Sequence, residues 1–153
     1  MNIYRLAEKP EFADDTAALM TLVWPQHYGP DQDGGDALHD VQNRIREDRA
    51  AIAVQGGQVV GTVALAETSF GAEDESPWLV GLCTAPGFRG QGIASALTSW
   101  AMGRARTLGY PMLFTSTQSA VGIMKRLGWR RVRGVTDQSG AWSVWKVALT
   151  DLS

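Results

Sequence analysis

A single cysteine, Cys83, occurs in this 153-residue chain, so neither an internal disulfide framework nor a cysteine-rich zinc site can be built from it. Two histidines, His27 and His39, are too few for a histidine-built centre, and no metal is expected. The chain also lacks an excess of either charge. Its 14 Lys+Arg against 16 Asp+Glu leave a net charge of −2, which argues against a general nucleic-acid binder, a class that is usually basic. Long apolar runs are missing as well. The run Val59–Ala66 (VVGTVALA) is far too short to cross a bilayer, and the opening MNIYRLAEKPEF has no apolar stretch of the signal-peptide kind. A cytoplasmic protein with no membrane partner is the resulting expectation.

What is present describes a folded domain. Hydrophobic residues at 44% and charged ones at 20% suit a soluble globular protein. The 17 glycines and 6 prolines modestly exceed the combined total of about 18 that average usage gives for this length, which suggests many turns. No repeat, low-complexity tract or linker divides the chain, so residues 1–153 are expected to form a single domain.

Asn2 to Leu6 fits a short opening strand. Ala18, Leu19, Leu22 and Val23 repeat at helical spacing after Asp14-Asp15, and Pro25 stops that helix. The segment WPQHYGPDQDGG, Trp24 to Gly35, has a loop's composition. Leu38, Val41 and Ile45 mark one face of a second, more polar helix. AIAVQ and QVVGTVALAE follow as strands joined at Gly56-Gly57, a pair that accepts positive φ in a tight hairpin. SFGAEDESP is a further loop, and WLVGLCT a buried-type strand. Ile93, Leu97, Trp100, Ala101 and Leu108 then define an amphipathic helix that ends at Gly109. A strand MLFTS, a short helix carrying Ala120, Ile123, Met124 and Leu127, and two last strands, WRRVRGV and AWSVWKVAL, complete an α/β pattern.

The most informative segment runs from Leu82 to Ala94, where a strand enters a loop with Gly87, Gly90 and Gly92 and a helix starts at once. Helix starts leave backbone N–H groups unpaired and carry positive partial charge. Glycines let such a backbone close around phosphate oxygens because no Cβ stands in the way, and Arg89 adds a permanent charge. A pyrophosphate is the ligand this chemistry suits. The loop has no Gly-Lys-Ser/Thr, which leaves an ATP-type phosphate loop and a phosphotransferase unsupported. The glycine order is not that of a dinucleotide site, and Gly109-Tyr110 stand where an acidic ribose ligand would be needed.

These residues carry a resemblance. Arg89-x-x-Gly92-x-Ala94 resembles the Q/R-x-x-G-x-G/A acetyl-CoA motif of the GCN5-related N-acetyltransferase (GNAT) superfamily. Thr84-Ala85-Pro86 is similar to the V-x-P that ends that family's fourth strand. Ala120-x-x-Ile123-Met124-x-x-Leu127-Gly128-Trp129 looks like its A-x-x-L-Y-x-x-L-G-F/W helix and turn. The element order also matches over nearly the whole chain. The resemblance implies a GNAT fold, with a central mixed sheet of about six or seven strands flanked by about four helices. It also implies acetyl-CoA as co-substrate, held in a cleft between splayed parallel strands. Arg89, Gly90, Gln91, Gly92, Ile93 and Ala94 would then wrap the pyrophosphate. Leu82, Cys83 and Thr84 would offer main-chain hydrogen bonds to the pantetheine arm and polarise the thioester. Thr117 and Met124 would line the opposite wall. The implied reaction is direct transfer of acetyl to an amine of a small molecule or peptide, and dimerisation is common in the family. The alternative is a catalytically silent acyl-CoA-binding sensor or interaction module.

Two departures keep that alternative open. Many members place a carboxylate on the fourth strand as base and a tyrosine on the last helix as acid. Gly81 and Met124 occupy those positions here, and neither can serve. His27 and Tyr28 are candidate replacements because the loop after the first helix lines the family's acceptor pocket, although ordinary loop residues are the plainer reading. Glu75, with Glu73 and Asp74, is a candidate base against a plainer reading as a solvated acidic loop, and Glu67 has no better support. Cys83 is read as a buried hydrophobe rather than a nucleophile. The basic residues Lys125, Arg126, Arg130, Arg131 and Arg133 are read as a solvated surface, and Trp129, Trp142 and Trp145 as core.

Overall fold

Two near-continuous apolar segments make the two most buried strands. In the computed structural model, which describes residues 1–149, β2 (Ala50–Gln55) is buried at all but its last residue, and β3 (Gln58–Ala66) at all but its ends. Alternating runs would bury one face only, whereas continuous ones suit strands covered on both faces. Gly56 and Gly57 join these strands at φ 58° and 74°, the pair of left-handed residues that a tight two-residue hairpin requires. β1 (Asn2–Arg5) lies antiparallel to β2.

The remaining strands are β4 (Trp78–Thr84), β5 (Met112–Thr117), β6 (Arg130–Asp137) and β7 (Gly140–Ala148). The sheet is mixed and seven-stranded, in the order β1-β2-β3-β4-β5-β7-β6. β4 and β5 run parallel at Trp78↔Phe114 and Leu79↔Thr115, while β5–β7 and β6–β7 are antiparallel. The four helices are α1 (Ala13–Val23), α2 (Ala37–Glu47), α3 (Ile93–Thr107) and α4 (Val121–Arg126). This is the α/β mixed-sheet architecture expected, with seven strands and four α-helices among the described residues. None of the helices among the described residues is long and apolar enough to cross a membrane.

By contact density the chain divides into two units, Met1–Ala64 with Gly81–Leu97, and Leu65–Val80 with the chain from Thr98 onward. In the first unit, α1 packs on α2. The buried face of α1 is Thr16, Ala17, Leu19 and Met20; of the expected Ala18, Leu19, Leu22 and Val23 only Leu19 is buried, and Leu22 is 64% exposed. The threonine is tolerated inside because its hydroxyl donates to Phe12 C=O at 2.8 Å. α2 is held at both ends. The Asp36 side chain accepts the Leu38 N–H at 3.0 Å, a standard N-cap. Asp48 turns left-handed at φ 53° after the last turn, and Arg5 donates to its carboxylate at 3.1 Å.

In the second unit, β6 is the exposed edge strand. Arg130 and Arg131 on it are exposed, and charge there discourages edge-to-edge pairing. The β6 register slips between Arg131 and Arg133, which face Trp145 and Val144 in turn. That bulge puts the two arginines on opposite faces although they are two apart in sequence. Arg133 is therefore not part of a solvated surface. Its guanidinium clamps Glu75 with hydrogen bonds of 2.6 and 2.8 Å. Trp78, Trp129 and Trp145 are buried, whereas Trp142 lies near the surface and donates to Asp137 and Ser139.

Candidate active site

The glycine loop closes as its sequence predicts. After a short 3-10 turn at Pro86–Phe88, Gly90 and Gly92 take φ values of 80° and 81°, and α3 begins at Ile93. A Cβ built on Gly87, Gly90 or Gly92 would meet nothing within 4 Å, so the loop borders open space. The helix's first recorded hydrogen bond is Ala96 N–H to Gly92 C=O at 3.0 Å, so Gly92 and Ile93 N–H precede the helical ladder. Arg89, Gly90, Gln91 and Gly92 are exposed, while Ile93 is buried and Ala94 half-buried. Ile93 therefore contributes to the loop through its backbone, with its side chain facing inward.

A glycine in β3 lets α3 sit down. A Cβ on Gly61 would lie 2.8 Å from Leu97 Cδ1, 2.9 Å from Ile93 Cγ2 and 3.0 Å from Cys83 C=O. The first turn of α3 thus rests directly on the strand backbone. Cys83 is buried, and desolvation pushes its thiol up to about 12. It stays protonated at any physiological pH, in keeping with a hydrophobe and not a nucleophile. Leu82 and Thr84 beside it are half-buried.

Gly81, where the family's carboxylate was sought, has φ 62°. Its space is taken from another element. A Cβ there would lie 2.7 Å from Arg44 Nη2 and 3.1 Å from Nη1, so the guanidinium of α2 lies over this point of β4. Tyr28 belongs to the same group. It is 6% exposed, and its hydroxyl donates to Asp40 Oδ2 at 2.8 Å. Burial, with that hydrogen bond, raises its pKa to about 12. This corrects the plain reading of Tyr28 as an ordinary loop residue. His27 fits that reading: it is exposed, with its ring edge-on to Tyr28 at 4.6 Å. Sequence reasoning missed Asp40 and Arg44. The available signal was their i,i+4 spacing on the polar side of a helix whose apolar face had already been drawn.

In the second unit, Thr117 is buried and its hydroxyl accepts the Ala120 N–H at 2.9 Å, which leads the chain into α4. Met124 is 1% exposed. Glu75 is not a solvated carboxylate, and it makes a poor base. Both its oxygens are engaged by Arg133, whose Nη2 also donates to Gly71 C=O. The hydrogen bonds from Arg133 hold the Glu75 carboxyl at about 2, below its ordinary 4.5. Because the folded value is the lower one, the associated stability is complete above about 4.5 and is lost as pH falls toward 2. Glu75→Gln is expected to lower Tm by a few degrees at neutral pH and to flatten the Tm profile over this acid range. An acid slope identical to the parent's would contradict the assignment. Among the described residues no group of three or more His, Cys, Asp or Glu is arranged to hold a metal.

The acetyltransferase (GNAT) family profile matches residues 16–129, and the chain belongs to that family. No curated protein sequence matches it significantly. Solved structures share the fold at low identity. An aminoglycoside 6'-N-acetyltransferase complexed with coenzyme A has a TM-score of 0.81 at 15% identity, over 100% of this chain and 99% of that one. The aminoglycoside 6'-N-acetyltransferase from Enterococcus faecium has a TM-score of 0.78 at 15% identity, with 100% and 99% covered. A Salmonella typhimurium protein with its cofactor acetyl-CoA has a TM-score of 0.74 at 17% identity, with 100% and 96% covered.

Proposed function

We propose that the protein is an N-acetyltransferase that moves acetyl from acetyl-CoA to the amine of a small molecule or peptide in a ternary complex. The observation that carries this is the left-handed Gly90/Gly92 turn opening into the start of α3 beside an exposed Arg89. Backbone N–H groups and one guanidinium suit the CoA pyrophosphate, and the space beyond the glycines admits it. Arg89, Gly90, Gln91, Gly92, Ile93 and Ala94 are the proposed pyrophosphate contacts. Leu82, Cys83 and Thr84 are proposed to bind the pantetheine arm through their main chain. Thr117 and Met124 keep only the support of the family resemblance. The coenzyme A and acetyl-CoA present in similar structures point the same way.

In the reaction the amine lone pair attacks the thioester carbonyl carbon, the C–S bond breaks, the nitrogen loses a proton and the thiolate gains one. None of the three sequence candidates is poised to carry those protons. Glu75 is tied to Arg133, His27 is exposed, and Tyr28 has a pKa far from the operating pH, where general acids work best. On this reading the acceptor arrives as the neutral amine and exchanges its proton with solvent. Accordingly, log kcat/KM is expected to rise with pH at unit slope up to the acceptor's own amine pKa, and the break should move when acceptors of different pKa are compared. A break that stays fixed across acceptors would reveal an enzyme base. Tyr28→Phe is expected to change kcat less than about 10-fold, below the usual contribution of a positioned acid, while lowering Tm through loss of the Asp40 hydrogen bond. A kcat loss of about 100-fold or more with unchanged acetyl-CoA affinity would make Tyr28 the acid.

The absence of a side chain at Gly81 and the burial of Met124 favour one other reading, an acyl-CoA-binding module without turnover. CoA release across an amine panel, together with calorimetric acetyl-CoA binding, separates the two. Tight binding without turnover on any amine favours the module, and no binding at all overturns both.

A further inference from the structure

Among the described residues Arg44 has no carboxylate partner. The residue is half-buried, and among the described residues its hydrogen-bond partner is the weak acceptor Met20 Sδ at 3.7 Å. The carboxylate four residues earlier on the same helix face, Asp40, is the natural i,i+4 partner. It takes the Tyr28 hydroxyl instead and forms no ion pair with Arg44. Guanidinium stays charged at any relevant pH and offers a planar fork of donors matched to a carboxylate. The strand beneath also accommodates it, because any side chain at position 81 would collide with its tips.

We propose that Arg44 is a specificity-determining residue that binds a carboxylate on the acceptor, so that the substrate class is amines bearing a carboxylate, such as free amino acids. The inference rests on the acetyl-transfer reading above. It follows from one side chain taking the place of another. Where the family resemblance led to a carboxylate on β4, this chain presents a cation from α2, which reverses the charge that the acceptor meets. Asp40 is occupied by the Tyr28 hydroxyl, so Arg44 is the charge left to meet the carboxylate of an acceptor whose amine arrives neutral. Tyr28 acts here as a positioning residue: by taking Asp40 Oδ2 it keeps that carboxylate from neutralising Arg44.

The test compares the common α-amino acids and β-alanine with their carboxamides, reading CoA release, with calorimetric acetyl-CoA binding as the independent control. Referred to the neutral-amine fraction of each acceptor, the acids are expected to exceed their amides by at least about 10-fold in kcat/KM, the factor a charge-assisted hydrogen bond supplies. In Arg44→Met that ratio should collapse toward one through the KM of the acids, with acetyl-CoA affinity changed less than about twofold, since Arg44 is not among the proposed cofactor contacts. Arg44→Lys should recover part of the ratio, because charge is kept while the fork is lost. Bound acetyl-CoA with acids and amides used equally, with neither used, or with a preference that survives Arg44→Met, overturns the inference. Absent acetyl-CoA binding overturns the underlying reading instead.

Discussion

Gly92→Val is expected to weaken acetyl-CoA binding by at least about 10-fold, while the unliganded protein loses only about 1–2 kcal/mol, the cost of a left-handed L-residue. The two effects have separate origins. At φ 81° a β-branched residue is strained whatever surrounds it. Its side chain meets no protein atom, because nothing lies within 4 Å of a Cβ at this position. The unliganded fold therefore carries the strain and no collision. The ligand carries more, because the proposed pyrophosphate shares that space with the new methyls. Calorimetry for affinity and thermal melting for stability resolve the two. Gly92→Ala, equally left-handed but smaller, should fall between parent and valine in affinity. Unchanged affinity in the valine variant would remove this loop from the site.

Gly61→Val is expected to act the other way round, costing about 3 kcal/mol or more of stability. Here φ lies outside the left-handed region, so strand backbone at this position accepts any residue. The loss comes from packing alone: a Cβ would sit 2.8 Å and 2.9 Å from Leu97 and Ile93 side chains and 3.0 Å from the Cys83 carbonyl. The carbonyl belongs to the sheet and cannot give way cheaply, so α3 must lift at its first turn. Acetyl-CoA affinity should fall with stability, since Ile93 is both the residue displaced and the residue that opens the helix. Denaturant unfolding at matched acetyl-CoA concentrations measures both. A Gly61→Val protein as stable as the parent would mean that α3 does not rest on β3 at this point.

The elements were legible wherever a local signal set them. Gly56-Gly57 announced the β2–β3 hairpin, the WLVGLCT run matched β4 residue for residue, and Gly92 marked the start of α3. The glycine loop could be read for the same reason, since the residues that shape it lie within a few positions of one another. Elsewhere the sequence misled where a neighbour far along the chain decided the outcome. Leu22 fits the helical repeat of α1 yet faces outward, because α2 covers the Thr16–Met20 side. Glu75 and Arg133 are 58 residues apart, and only a bulge in β6 turns the arginine toward the carboxylate. Gly81 and Arg44 meet across 37 positions. A missing side chain on β4 gave no hint that a cation from an earlier helix fills the space. The glycine loop is thus written locally, and the cluster of Tyr28, Asp40 and Arg44 over Gly81 only in the folded chain.

The double capping of α2 bears on how such a protein could be retargeted. Asp36 fixes where the helix starts, and Asp48 with Arg5 fixes where it stops. Sliding the sequence by one residue would swing Arg44 about 100° around the axis and away from β4. Insertions within this helix would therefore misplace Arg44. The glycine-rich loop before it, residues 24–35, is the kind of segment that absorbs changes in length. On the proposed reading, acceptor charge would be exchanged by point substitution at position 44, while changes in the loop that spare Tyr28 would leave that charge in place.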